Sequence, residues 1–154
     1  MQISIRAVED SDVPYMAAIR AQNWQTEAFW SDRISRYLRG EHSPQKALAA
    51  RGIFVAIEKE ERVGFVAGHR TTRLKCEGEL QWIDVRQDRR SLGIGQALVE
   101  KMGEWFVGQN TFRICVNVEP TNEPARRLYL KCGAKPLNDH WMIWDDARKM
   151  KAAS

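Results

Sequence analysis

The sequence predicts a mixed α+β domain. Strand-like runs dominate the middle of the chain, where two of them flank a short charged turn. Helical patterns come first as an adjacent pair and then singly between strands, so the regular alternation of a doubly wound fold is missing. A length of 154 residues with 44% hydrophobic content suits one domain, residues 1–154, with its own core.

The elements follow in order. ISIRAV (3–8) alternates and reads as a strand. Asp10, Ser11 and Asp12 then offer N-caps to a helix carried by Val13, Met16, Ala17, Ile19 and Arg20, with Pro14 in its first turn. A second helix runs through Phe29, Trp30, Ile34, Tyr37 and Leu38 and stops at Gly40. IFVAIE (53–58) and RVGFVAGHRTT (62–72) are β-rich and form a hairpin, and ELQWIDV (79–85) is a further strand. RRSLGIGQAL (89–98) opens a helix whose apolar positions Ile94, Leu98, Met102, Trp105 and Phe106 recur at helical spacing. FRICVNV (112–118) is a strand closed by Pro120, and residues 123–132 form a short helix with Gly133 as its stop. HWMIWDD (140–146) is the last strand, with a minor one near 134–137, so the order is βααβββαβαβ(β).

Composition excludes several classes. No apolar run approaches a membrane span, and Arg6, Glu9 and Asp10 interrupt the start where a signal peptide needs apolar residues. Cys76, Cys115 and Cys132 form an odd set without metal-ligand spacing, which reads as reduced thiols in a cytoplasmic protein. His42, His69 and His140 show no metal spacing either, so no metal is expected. The net charge of +4 is too small to argue for nucleic acid. Between Arg86 and Lys135, nine Lys or Arg face five Asp or Glu, so the whole surplus lies around the glycine pair. That placement fits one anionic ligand, or a solvated basic face.

The glycine pair sits between a strand and a helix. A helix start leaves unpaired N–H groups and a positive dipole end, and Gly93 and Gly95 let an anion approach the amides of Leu92 to Gln96. Gln96 and Ala97 stand where a nucleotide-binding P-loop needs Lys and Ser or Thr, and Leu98 stands where a dinucleotide fingerprint needs its third glycine.

Arg90-Ser91-Leu92-Gly93-Ile94-Gly95 resembles the Arg/Gln-x-x-Gly-x-Gly/Ala motif of the GNAT superfamily of N-acetyltransferases, which cradles the pyrophosphate of coenzyme A. Asn122 to Gly133 (NEPARRLYLKCG) is similar to that family's later Asn-x-x-Ala-x-x-Leu-Tyr-x-x-x-Gly segment. The element order also matches, so the resemblance covers nearly the whole chain. It implies a central mixed, mostly antiparallel sheet flanked by helices. Ala134 departs from the pattern, because the family usually has an aromatic residue after this glycine.

The resemblance implies roles. Backbone groups of Ile83, Asp84 and Val85 pair with the pantetheine arm as if it were an added strand. Arg90, Ser91 and the amides of Leu92, Gly93, Ile94, Gly95 and Gln96 hold the pyrophosphate. Arg86 and Arg89 reach ribose phosphate or are solvated surface charges. Asn122, with Ala125 beside it in the motif, contacts coenzyme A or caps its helix. The reaction implied is acetyl transfer from acetyl-CoA to an amine by direct attack, with Tyr129 matching the tyrosine assigned to the departing thiolate. Glu79 is the first choice for the base that takes the amine's proton, and Glu77 and Asp84 are the alternatives. Tyr15, Trp24, Phe29, Trp30, Tyr37 and Trp82 line an acceptor pocket or fill the core. The acceptor is a small-molecule amine, a protein N-terminus or a lysine side chain; a sensor of acyl-CoA without turnover is the reading from another class. Exposed sheet edges and the Trp141–Trp144 strand suggest a homodimer.

Overall fold

The computed structural model describes residues 2–152 and places seven strands in one sheet, in the order β1-β2-β3-β4-β5-β7-β6. β1 (Ser4–Ala7), β2 (Ala47–Glu58), β3 (Glu61–Thr71) and β4 (Gly78–Val85) form an antiparallel half, with β2 and β3 as the hairpin. β5 (Ile114–Asn117) runs parallel to β4. β7 (Trp141–Trp144) lies antiparallel between β5 and β6 (Lys135–Asn138). The sheet is therefore mixed and mostly antiparallel, as predicted.

Strand alternation sends neighbouring residues to two different cores. α1 (Val13–Ala21) and α2 (Glu27–Leu38) cover one face, where Met16, Ile34 and Tyr37 meet Val55, Phe65 and Trp82. α3 (Ile94–Gly108) and α4 (Glu123–Lys131) supply the other core, where Leu98, Met102, Phe106 and Tyr129 meet Ala56, Val66 and Leu80.

Local departures from the sequence reading have physical reasons. β2 begins at Ala47, ahead of IFVAIE. Its pairing slips between Ala47 and Arg51 and Ala50 has φ of 68°, so this stretch carries no two-residue period. β5 starts only at Ile114, because Glu77 Oε1 accepts the amides of Phe112 and Arg113 at 2.9 and 3.1 Å. Asp12 does not cap α1 with its side chain. Its carboxylate is buried and accepts bonds from Arg6 and the Glu9 amide at 2.7 Å and from Arg62 at 2.8 Å. Burial alone would raise the Asp12 carboxyl, but the Arg6 and Arg62 hydrogen bonds override it and hold it far below the usual carboxylate range.

Gly133 ends α4 with φ of 97°, and a Cβ there would lie 2.9 Å from the Lys149 carbonyl oxygen. Ala134 is buried, and Trp144 supplies the aromatic packing nearby, edge-on to Tyr129 at 5.7 Å between ring centres. Among the described residues no helix is long and apolar enough to cross a membrane, and no group of three or more His, Cys, Asp or Glu is placed to hold a metal ion.

Candidate active site

The site begins where the sheet opens. β4 and β5 pair only at Gly78–Ile114, Glu79–Cys115 and Leu80–Val116. Beyond Leu80 a bulge makes Gln81 an extra residue against β3, and β4 continues to Val85 with no strand partner on its β5 side among the described residues. Val118 meanwhile donates its amide to His140. The fork leaves a cleft of about 840 Å³. Ile83, Asp84 and Val85 line one wall, Arg90, Ser91 and Gly93 to Gln96 line its end, and Asn122 and Ala125 on α4 line the other wall. Leu92 is exposed beside the loop.

The two glycines serve different needs. Gly93 is the N-cap of α3 with φ of 87°, and nothing stands within 4 Å of where its Cβ would be. It is required by conformation. Gly95 is helical, and a Cβ there would meet Leu128 Cδ2 of α4 at 3.2 Å, so it permits a close helix approach. The amides at the start of α3 have no helical partner and face an end of the cleft that also gathers Arg89, Arg90, Arg127 and Lys131. Part of that charge is already matched. Arg89 pairs with Glu58 at 2.6 Å, and Arg86 with Asp88 at 2.6 Å and Glu61 at 3.4 Å. Arg90 donates to the Val85 carbonyl at 3.1 Å and lies 3.8 Å from Asp84. Asn122 both lines the cleft and caps α4, its Oδ1 accepting the Ala125 amide at 3.3 Å.

Asp84 projects toward α1, where Arg20 donates to it at 3.2 Å. Burial pushes its carboxyl up to about 6, against the pull of Arg20 and Arg90. Sequence reading assigns Arg20 only a place in the first helix and no role in the site. Its guanidinium lies 4.6 Å from the ring centres of both Trp24 and Trp30. Of the aromatic residues considered for an acceptor pocket, Trp24 reaches the cleft, Trp30, Tyr37 and Trp82 are core, and Tyr15 lies under Arg62. Tyr129 is almost wholly enclosed at 4% exposure. Burial raises its phenol far above the usual value; nearby Arg20 works against that rise and Asp84 adds to it. Tyr129 belongs to the core on one face and Arg20 stands over the other, so they influence each other across the fork.

Glu79 sits one residue below the last β4–β5 pair, at 3% exposure. Its Oε2 is 3.4 Å from Arg73 and its Oε1 is 3.6 Å from His69 Nε2. Glu79 Oε1, His69 Nε2 and Gln81 Oε1 are enclosed and have no hydrogen-bond partner among the described residues. Glu77 is committed to the amides of Phe112 and Arg113.

No curated protein matches the sequence significantly. Solved structures share the fold. The PaiA N-acetyltransferase of Thermoplasma acidophilum, in complex with coenzyme A, superposes with a TM-score of 0.69 at 14% identity, over 95% of this chain and 99% of that one. Ard1 of Thermoplasma volcanium gives 0.71 at 20% identity, over 94% and 97%. The ribosomal-protein-S18-alanine N-acetyltransferase of Escherichia coli gives 0.66 at 17% identity, over 99% and 97%. A model of the acetyltransferase (GNAT) family matches residues 16–134, well over half of the sequence. With the forked sheet and the glycine loop at its mouth, this match means that the chain belongs to the acetyltransferase (GNAT) family.

Proposed function

We propose that the protein transfers an acetyl group from acetyl-CoA to a primary amine of a small molecule. The observation that carries this reading is the free edge of β4, which runs from the fork to a loop of unpaired helix amides. Such an edge suits the amide-bearing pantetheine arm, and the loop suits its pyrophosphate. Acetyl-CoA supplies the acetyl group as an activated thioester. Ile83 to Val85 hold the arm, Arg90, Ser91 and the amides of Leu92 to Gln96 hold the diphosphate, and Asn122 and Ala125 close the α4 side. Trp24, which reaches the cleft with the Arg20 guanidinium 4.6 Å from its ring centre, offers an aromatic wall to a small acceptor. The likeness to a ribosomal-protein-S18-alanine N-acetyltransferase favours a protein N-terminal amine as the second reading, because an alanine side chain carries no amine.

An amine with a pKa of about 10.4 is almost entirely protonated at neutral pH, so a proton acceptor is needed. Glu79 fills that role at the apex of the fork, directly or through one water, while Asp84 is occupied by Arg20. The nitrogen lone pair then forms the C–N bond as the C–S bond breaks, the electron pair leaves on sulfur, and the attacking nitrogen gives up its second proton to the thiolate or to water. Tyr129 serves that sulfur as a hydrogen-bond donor. Full proton transfer from a phenol of pKa ~10 to a thiolate of ~8.5 is uphill by about 2 kcal/mol in water, and burial of Tyr129 increases the gap.

The test is calorimetric titration with acetyl-CoA, followed by thiol release across small amines and N-terminal peptides. Turnover is expected with a small amine, and Tyr129→Phe should lower kcat with unchanged acetyl-CoA affinity. Absence of acetyl-CoA binding overturns the reading. Tight binding without thiol release from any acceptor assigns a sensor instead.

A further inference from the structure

Glu79 is one end of a buried chain of polar groups. Opposite it in the β3–β4 register stands His69, which has no exposed surface. His69 Nε2 is 3.6 Å from Glu79 Oε1, and His69 Nδ1 is 2.8 Å from the Tyr37 hydroxyl of α2. Arg73 faces the other carboxylate oxygen at 3.4 Å. The charged and titratable groups facing the pair also include Arg51 from β2, 4.3 Å from the Tyr37 ring centre, and Cys115, the β5 partner of Glu79.

One hydrogen must lie between Tyr37 and His69 Nδ1, and its owner decides what Glu79 sees. If Nδ1–H donates to Tyr37, a lone pair on Nε2 faces the carboxylate, which is repulsive. If Tyr37 O–H donates to Nδ1, the ring proton sits on Nε2 and points at Glu79. Glu79 presents an acceptor oxygen to Nε2 while Arg73 donates to its other oxygen, so the second arrangement is the one that matches donor to acceptor. Burial keeps the Tyr37 phenol protonated, because it raises the group far above its usual value. At 3.6 Å the contact is longer than a good hydrogen bond. A third polar group bonding both Nε2 and Oε1 would satisfy two enclosed atoms at once.

We propose that His69 is a positioning residue for Glu79: Tyr37 holds it in the Nε2–H tautomer, and its N–H fixes the orientation of the carboxylate that takes the proton leaving the acceptor amine. This rests on Glu79 as the base. In the step served, the N–H bond of the acceptor breaks and its electron pair stays on nitrogen. The proton forms an O–H bond on Glu79, directly or through a water held between Oε1 and Nε2. His69 donates to Glu79 before and after, so neither its charge nor its tautomer changes.

Two measurements decide it. The tautomer is read by nitrogen-15 NMR of the ring nitrogens, with His69→Gln assigning the signal among three histidines. A neutral ring protonated on Nε2 is expected. Protonation on Nδ1 overturns the proposal, and this measurement needs no acceptor. The second is thiol release from acetyl-CoA with phenethylamine, putrescine and a hexapeptide bearing N-terminal alanine. Glu79→Gln should lower kcat ~100-fold, His69→Leu roughly tenfold, and His69→Gln, which keeps an N–H donor, no more than about threefold. Acetyl-CoA Kd should hold within about twofold, and Glu79→Gln/His69→Leu should be no slower than Glu79→Gln alone. Full activity of Glu79→Gln removes the base and this inference together. A slow Glu79→Gln beside a fast His69→Leu, or losses that multiply in the double variant, removes the His69 role alone.

Discussion

Replacing Gly93 by alanine separates backbone conformation from every other property of the glycine loop. At this N-cap φ is 87° and nothing lies within 4 Å of the new methyl group, so the change introduces strain without a clash. A left-handed conformation costs an L-residue about 1–2 kcal/mol. For a chain of this size that corresponds to a Tm lower by roughly 2–8 °C. Rotation of the loop away from positive φ would relieve the strain by turning the α3 amides from the cleft. Restoring them on binding would then weaken acetyl-CoA roughly 5–30-fold. Gly95→Ala is the control. It adds a methyl 3.2 Å from the flexible end of Leu128 without positive φ, and the gain in helix propensity, up to about 1 kcal/mol, offsets the crowding. Scanning fluorimetry and calorimetric titration of both variants give the comparison. A Gly93→Ala protein with wild-type Tm and wild-type Kd would refute the idea that the left-handed residue presents the amides.

Other predictions concern charge. Because burial raises Asp84 to about 6 from an ordinary 3.8, the folded state loses stability relative to Asp84→Asn as pH rises from about 4 to about 7. The difference should reach about 3 kcal/mol, read by urea unfolding of both proteins. Asp12 has the opposite sign: its advantage over Asp12→Ala should be complete at neutral pH and fade as the solution is acidified below the ordinary carboxylate range. Removing this carboxylate leaves Arg6 and Arg62 facing each other, and should cost about 3 kcal/mol in the same unfolding assay. Arg90→Gln should weaken acetyl-CoA roughly tenfold, with a smaller loss at high salt, while leaving Tm within about 2 °C.

Much of this architecture was legible because it is written in local periods. The helix through Ile94, Leu98, Met102 and Phe106 repeats at its turn length, and Gly40 and Gly133 take the positive φ values that end α2 and α4. The cleft-lining loop was legible for the same reason, since Gly93 and Gly95 stand at a strand-to-helix junction. What escaped reading depends on partners remote in sequence. Arg20 becomes part of the site only because Asp84 arrives 64 positions later. Asp12 resembles a cap locally, yet Arg62 from β3 claims it. The pairing of His69 with Glu79 depends on the β3–β4 register, and no turn residue announces the bulge at Gln81.

The short parallel contact between β4 and β5 has a mechanical consequence. Among the described residues, three ladder pairs join the four-stranded half of the sheet to the three-stranded half. A seam of few ladder pairs thus lies beside the proposed berth of the ligand. An arm laid along β4 would extend that seam as a further strand and stiffen it. Ligand protection should therefore spread beyond the contact residues: amide exchange along β4 and β5 should slow together when the cleft is filled.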